Sequence, residues 1–318
     1  MRFSRAVLLV VLLACAPPLG WCAGVAAAAM PAVAAPAGAG EGAGEKGLPA
    51  AAETVFHLGP LPVTNSMLVT WIVAAGLILF ARAATRHLQA VPSGAQNFLE
   101  WLVETLYDFL EGVIGRELVR ATFWFFATIF IFILSTNWFG LIPGIGTVGW
   151  GVDGGHGFEV TRPLLRGGNA DLNMTFSMAM IFMVCWLFWA LQVNGPKGFL
   201  LHIFGPKGDS TGAIKYFMIV VFFAVGILEL ISIAFRPISL SFRLYGNIFA
   251  GENLLEAMSN MVQHPAWAKA VFSVALPVPF YFMELLVGFV QALVFMLLTA
   301  VFTMLICLHD DEHETAHP

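Results

Sequence analysis

Arg243 lies in the middle of a long apolar stretch, within the run SLSFRLYGNIFAGE of residues 239–252. A guanidinium stays protonated at physiological pH. Holding this charge at the depth of a lipid bilayer costs about 3 kcal/mol on insertion scales. Charged side chains that are kept at that depth usually mark an ion or substrate pathway. Arg243 is therefore the first candidate for a functional residue.

Further polar residues of the last two apolar stretches repeat at helical spacing. Seven residues bring an α-helix back to within about 20° of its starting direction. One face of the first stretch therefore carries a polar stripe of Glu229, Arg236, Ser239, Arg243 and Asn247. Glu252 lies on nearly the opposite face and requires a partner from another element. In the second stretch, Glu284 and Gln291 share one face.

Each of these residues also has a purely structural interpretation. Arg236 precedes Pro237 and can serve either in an ion path or as an anchor at the membrane interface. The carboxyl groups can be protonated groups that only hydrogen-bond within the protein. The amides of Asn247 and Gln291 can simply hold two helices together.

The composition is that of an all-α integral membrane protein. Of the 318 residues, 59% are hydrophobic and 11% are charged, whereas soluble domains have about 25% charged residues. No basic patch interleaved with aromatic residues points to nucleic acid. The four cysteines form no CxxC and no cluster with histidine, so neither a zinc site nor a disulfide framework is indicated. The eight histidines all fall in tails or near the ends of apolar segments, so we expect no haem and no other cofactor.

The apolar segments predict about five transmembrane helices. They cover residues 66–84, 121–141, 172–193, 213–262 and 266–308. The fourth segment would be roughly 75 Å long as a straight helix, so it must be broken, strongly tilted, or both. The fifth poses the same problem. Residues 92–117 predict an amphipathic helix, either in the membrane interface or packed on a partner.

The remaining segments suggest how the chain is organised. Residues 1–24 are typical of a signal peptide, because an apolar region too short to span a bilayer follows two arginines. We expect a disordered, Ala/Gly/Pro-rich periplasmic tail over residues 25–60, a membrane domain over 61–308 and a polar tail over 309–318. The Gly-rich residues 145–168 predict an outer loop. Lys and Arg favour the loops expected to be cytoplasmic, which orients the N-terminus outside and the C-terminus inside.

Three sequence patches resemble subunit a of the F-type ATP synthase. The strongest is RPISLSFRLYGN at residues 236–247, continued by Ala-Gly-Glu at 250–252. The second is QALVFMLLT at residues 291–299. The third combines NWFGLIP at residues 137–143 with ADLN at residues 170–173. The resemblance covers about residues 60–310.

The resemblance implies the stator subunit of the F0 sector in a bacterial inner membrane. The last two helices would form a tilted hairpin against the c-subunit ring, beside b subunits of the peripheral stalk and membrane lipid, within the whole F1F0 ATP synthase. The chain alone would carry out no catalytic chemistry. By the match, the outer half-channel would contain Glu252, Glu284, Asn247 and Gln291. The inner half-channel would contain Glu229 and Ser239.

The chain departs from the family pattern at one pair of positions. Family members commonly have a histidine at one of the positions aligned with Glu252 and Glu284, and here both are glutamate. This keeps a sodium-coupled form of the same subunit open as an alternative. An unrelated ion transporter is the other alternative, although such proteins usually contain an internal repeat and none is visible here.

Overall fold

The computed structural model describes residues 52, 54–58, 61–145, 148–154, 157–205, 213–259, 261 and 265–307. The predicted signal peptide, most of the predicted tail and the polar C-terminus lie outside the described residues. The helices are α1 (Asn65–Ala84), α2 (Ala95–Ile114), α3 (Arg116–Gly140), α4 (Leu172–Phe204), α5 (Ala213–Ser259), α6 (Ala266–Ala275) and α7 (Pro277–Cys307). The strands are β1 (Thr54–Leu58), β2 (Leu61–Thr64), β3 (Gly149–Gly154) and β4 (Gly157–Pro163).

The prediction of an all-α membrane architecture is confirmed. Within the described residues, five helical segments are long and apolar enough to cross a membrane. They are Asn65–Ala84, Arg116–Gly140, Leu172–Leu201, Val220–Ser259 and Trp267–Cys307. The amphipathic helix predicted within residues 92–117 forms as α2. Its buried side includes Leu106 and Leu110, while Trp101 and Phe109 are exposed.

The two apolar segments that are too long for a single perpendicular span differ in how they are built. Helix α5 runs through 47 residues with Pro237 inside it, a length of about 70 Å. The last segment instead divides into α6 and α7, which meet at Leu276 and Pro277. The third membrane segment is also interrupted near its end, within α4. Gly195 has non-helical backbone angles (φ 67°), and helical structure resumes up to Phe204.

Two short hairpins correct the sequence-based expectations. Strand β1 lies inside the stretch 25–60, which was predicted to be disordered, and pairs with β2. Strands β3 and β4 form an antiparallel pair inside the predicted Gly-rich loop. Glycine content argued against strands there, but GWGVDG and GFEVTRP also contain the β-branched and aromatic residues that suit a pleated pair.

The core of the described structure surrounds α3. Its side chains Phe125, Phe126 and Ile133 are fully enclosed, and they form one cluster with Trp186 of α4 and Phe295 of α7. Helix α5 packs mainly along α4 and α7. Its other side is exposed and apolar along much of its length, with large side chains such as those of Phe223, Leu228 and Phe235. The described residues therefore leave one long face of α5 uncovered.

Candidate functional site

Two carboxyl groups from different helices line a single cavity. Glu252 comes from α5 and Glu284 from α7, and the wall is completed by α3 and the loop before α4. The other lining residues are Thr136, Asn137, Gly140, Leu141, Gly167, Asn169 and Ile248. The cavity volume of ≈ 10 Å³ is about what one water molecule requires. The site can therefore hold a proton or a single water between two carboxyl groups.

Glu284 reaches this cavity because α5 has a glycine opposite it. A Cβ atom built on Gly251 would collide with the carboxyl carbon and both carboxyl oxygens of Glu284. The side chain is 4% exposed, and its Oε1 atom has no hydrogen-bond partner among the residues that the structure describes. A buried carboxyl oxygen left open in this way is suited to bind a proton, a water or a cation.

Glu252 has a partner that the sequence-based reasoning did not identify. The Nε atom of Arg166 lies 3.7 Å from Oε2 of Glu252, an ion-pair distance longer than a hydrogen bond. The prediction that Glu252 requires a partner from another element is confirmed. Arg166 itself was placed in an outer loop, yet its side chain is only 6% exposed. Its position directly before Gly167 and Gly168 was the available signal, because paired glycines permit close backbone approach.

The loop that carries Arg166 is hydrogen-bonded to α1 and α3, and α3 is in turn bonded to α7. Ser66 at the start of α1 donates its hydroxyl to Oδ2 of Asp171, at 2.8 Å. Asn169 donates its amide to Oδ1 of Asn137 on α3, at 2.6 Å. Asn137 in turn donates to the carbonyl of Gly288 on α7, at 2.9 Å. The two halves of the third sequence patch therefore meet in space and hold the loop over the cavity.

Asn247 and Gln291 join the two long helices directly. The amide of Asn247 donates to Oε1 of Gln291, at 2.8 Å. Gln291 is buried, whereas Asn247 is exposed. The contact agrees with the interpretation that the two amides hold the helices together. Asn247 lies between one and two helical turns from Glu252 on α5, and Gln291 lies about two turns from Glu284 on α7.

A second cluster lies at the other end of the polar stripe of α5. Arg236 donates from Nη2 to Oε1 of Glu229, at 3.2 Å, which confirms that residues seven apart share this face. The Arg236 guanidinium also lies 4.5 Å from the ring centroid of Phe302 on α7, a cation–π contact. Glu229 and Ser239 are exposed.

Arg243 lies between the two clusters along α5 and points away from the chain. Its side chain is exposed. Among the residues that the structure describes, the ion pairs are those of Arg166 and Arg236, and Arg243 takes part in neither. An apolar helix therefore presents an uncompensated guanidinium at its surface.

Comparison with known proteins identifies the family of the chain. A sequence model of the ATP synthase A chain matches residues 67–304, which is most of the chain. The chain belongs to the ATP synthase A chain family. The family resemblance predicted from the three sequence patches is thus confirmed.

Relatives in the ATP synthase A chain family cover nearly the same region. ATP synthase subunit a of Gloeobacter violaceus is 33% identical over 260 residues, which are 81% of this chain and 90% of the relative. The subunit a proteins of Moorella thermoacetica and Desulforamulus reducens are 30% and 31% identical, over 77% and 81% of this chain and 91% and 85% of their own lengths. With its five membrane-capable helices and its bacterial relatives, the chain is a multi-pass bacterial membrane protein.

Proposed function

We propose that this chain is the stator subunit of the F0 sector and carries protons to and from a rotating c-subunit ring. Two half-channels would reach the ring from opposite sides of the membrane without meeting. The outer one would contain Glu252, Glu284, Asn247 and Gln291. The inner one would contain Glu229 and Ser239, with Arg236 as a possible second basic residue.

The observation that carries this proposal is Arg243, which is exposed and forms no ion pair with any described residue. A charge on an apolar helix surface is costly in lipid. The cost is offset if a neighbouring protein places a carboxylate beside it. A c-subunit ring with an ionisable carboxyl on each subunit is such a partner, and it would also cover the apolar face of α5.

The chemistry of an arginine suits this task. A fixed cation favours the ionised form of a ring carboxyl that arrives protonated, and so promotes release of its proton. The same cation repels a proton that would otherwise pass directly between the half-channels. Each elementary charge that crosses gains about 2.3 kcal/mol per 100 mV, and a leak would waste that energy. Arginine is preferable to lysine because a buried lysine can lose its charge.

The arrangement of the two clusters supports the separation of the paths. The outer cluster is assembled from α3, α5, α7 and the loop before α4, and the inner one from α5 beside α7. Arg243 separates them along α5. We propose an outside N-terminus and a cytoplasmic C-terminus in the bacterial inner membrane, with b subunits of the peripheral stalk and lipid around the remaining surface.

The proposal is tested by Arg243→Ala in inverted membrane vesicles that contain the whole ATP synthase. We expect ATP-driven proton pumping, followed by quenching of a pH-sensitive dye, to fall to background. ATP hydrolysis by the F1 head should persist, because this substitution does not touch it. Arg82→Ala, at an exposed arginine near the end of α1, is the matched control and should pump normally. Normal pumping by Arg243→Ala would overturn the proposal.

Sodium coupling is the second candidate, favoured by the pair Glu252 and Glu284 in one cavity. Carboxyl oxygens bind hard cations as well as protons. Its test is whether sodium protects the ring carboxyl from a carbodiimide in the whole complex. Protection by millimolar sodium at neutral pH would favour sodium, and its absence would leave the proton as the coupling ion.

A further inference from the structure

Arg166 belongs to none of the three sequence patches, yet it lies at the centre of the outer cluster. It is buried, and it is delivered by a loop that is hydrogen-bonded to α1 and α3 through Asp171 and Asn169. Burying a guanidinium is expensive unless a carboxylate compensates it. The loop therefore places a fixed positive charge against a particular carboxyl group of α5.

The carboxyl group that this loop contacts is that of Glu252. The 3.7 Å ion pair joins them, and Gly167 brings the loop so close that a Cβ atom there would lie 2.8 Å from Oε1 of Glu252. Arg166 therefore places its charge directly against α5.

Two carboxyl groups, Glu252 and Glu284, line the cavity, and among the described residues one cation, Arg166, forms an ion pair with either of them. A single guanidinium can neutralise one carboxylate. The 3.7 Å ion pair assigns it to Glu252. Oε2 of Glu252 and Oε1 of Glu284 both lack a hydrogen bond among the described residues, but only Glu252 lies within ion-pair distance of a described cation.

We propose that Arg166 is a positioning residue of the outer path, which holds Glu252 as a carboxylate in the cavity wall and leaves Glu284 as the group that takes up and releases the transported proton. This inference rests on the proposed stator function. It assigns different roles to Glu252 and Glu284, which the sequence alone does not distinguish. The proton binds to Glu284 from the outer water and leaves it towards the ring, while the Arg166–Glu252 pair keeps a constant net charge of zero beside it.

The direct test compares Arg166→Gln with Arg166→Lys in vesicles that contain the whole complex. We expect Arg166→Gln to lower the pumping rate about tenfold. We also expect its pH profile to move to higher pH by about one unit, because a nearby cation opposes proton binding by carboxylates. Arg166→Lys keeps the charge and should restore at least half of the rate. Arg82→Gln is the control and should match the unmodified protein in both readouts.

Two further comparisons separate positioning from simple loop stability. Arg166→Gln combined with Glu252→Gln removes both charges, so this double variant should pump faster than Arg166→Gln alone. Glu284→Gln should lower pumping more than Glu252→Gln. The inference is overturned if Arg166→Gln only reduces the amount of assembled complex, with unchanged rate per complex and pH profile. It is also overturned if Glu252→Gln is the more damaging of the two glutamate changes.

The stator proposal is judged separately by Arg243→Ala. If that variant loses pumping and Arg166→Gln does not change it, the inference about Arg166 fails and the stator function stands. If Arg243→Ala pumps normally, both fail.

Discussion

The two ion pairs of α5 lie in contrasting surroundings. In the pair beside the cavity, here called the outer pair, the side chains of Arg166 and Glu252 are 6% and 15% exposed. In the pair at the other end of the polar stripe, here called the inner pair, those of Arg236 and Glu229 are 18% and 48% exposed. The outer pair links α5 to a loop that is hydrogen-bonded to α1 and α3. The inner pair links α5 to itself, over an aromatic ring of α7. The described residues therefore enclose most of the Glu252 side chain, whereas Glu229 is exposed at the surface of α5.

The largest effect expected within this comparison comes from the carboxyl groups themselves. Glu284→Gln should lower ATP-driven pumping more than tenfold. No other described group replaces this buried carboxyl, and raising the activation free energy by about 1.4 kcal/mol already lowers a rate tenfold. Glu229→Gln should cost about two- to threefold, since an exposed ion pair contributes about 0–1 kcal/mol and water can replace it. The measurement is the initial rate of dye quenching per assembled complex.

Combining the two outer changes makes the contrast sharper. Glu252→Gln with Glu284→Gln should nearly stop pumping. If Glu284→Gln and Glu229→Gln lowered the pumping rate equally, the buried carboxyl of Glu284 would be no more important for pumping than the exposed carboxyl of Glu229. Normal pumping by the double variant would show that the outer path is misplaced.

The next effect concerns the glycine that admits Glu284 to the cavity. Gly251→Ala should displace the Glu284 carboxyl and lower pumping about tenfold, since overpacking of a tight contact costs about 1–3 kcal/mol. Gly76→Ala, on α1, is the matched control because a Cβ atom there meets nothing within 4 Å. Pumping rates and the amount of assembled complex should both be measured. An unchanged rate for Gly251→Ala would mean that the position of Glu284 is not critical.

The smallest effect is expected at the inner pair. Arg236→Ala removes an exposed ion pair and a cation–π contact with Phe302, which together contribute about 1 kcal/mol. We expect pumping to fall about twofold, and Arg236→Lys to retain most of the rate by keeping the charge. A loss as complete as that of Arg243→Ala would place Arg236 in the ion path and remove the contrast between the two ends of α5.

Much of the fold could be predicted because membranes impose simple rules. Apolar length predicted the five membrane-capable segments, and the period of 3.6 residues predicted that Glu229 and Arg236 meet. The same period predicted that Glu252 lies apart from this stripe and requires a partner. These predictions depend only on local helix geometry, which the sequence specifies directly.

Other features could not be predicted because they depend on long-range contacts. The hairpin of β3 and β4 was missed, since its glycines masked a strand pattern of only a few residues. The two overlong segments looked alike, yet α5 continues through Pro237 while α6 and α7 separate at Leu276. The burial of Arg166 was missed because a charge in a loop between two spans is usually solvated.

The sequence by itself determined the family, the apolar spans and the residue types available for ion transfer, because each of these depends on composition, motifs or helical period. Tertiary structure decided which of the polar groups meet. It brought Arg166 to Glu252, placed Glu284 against Gly251 and left Arg243 facing outward. Those choices depend on how a loop and three helices pack around α5 and α7, and helical spacing carries no information about contacts between elements far apart in the chain.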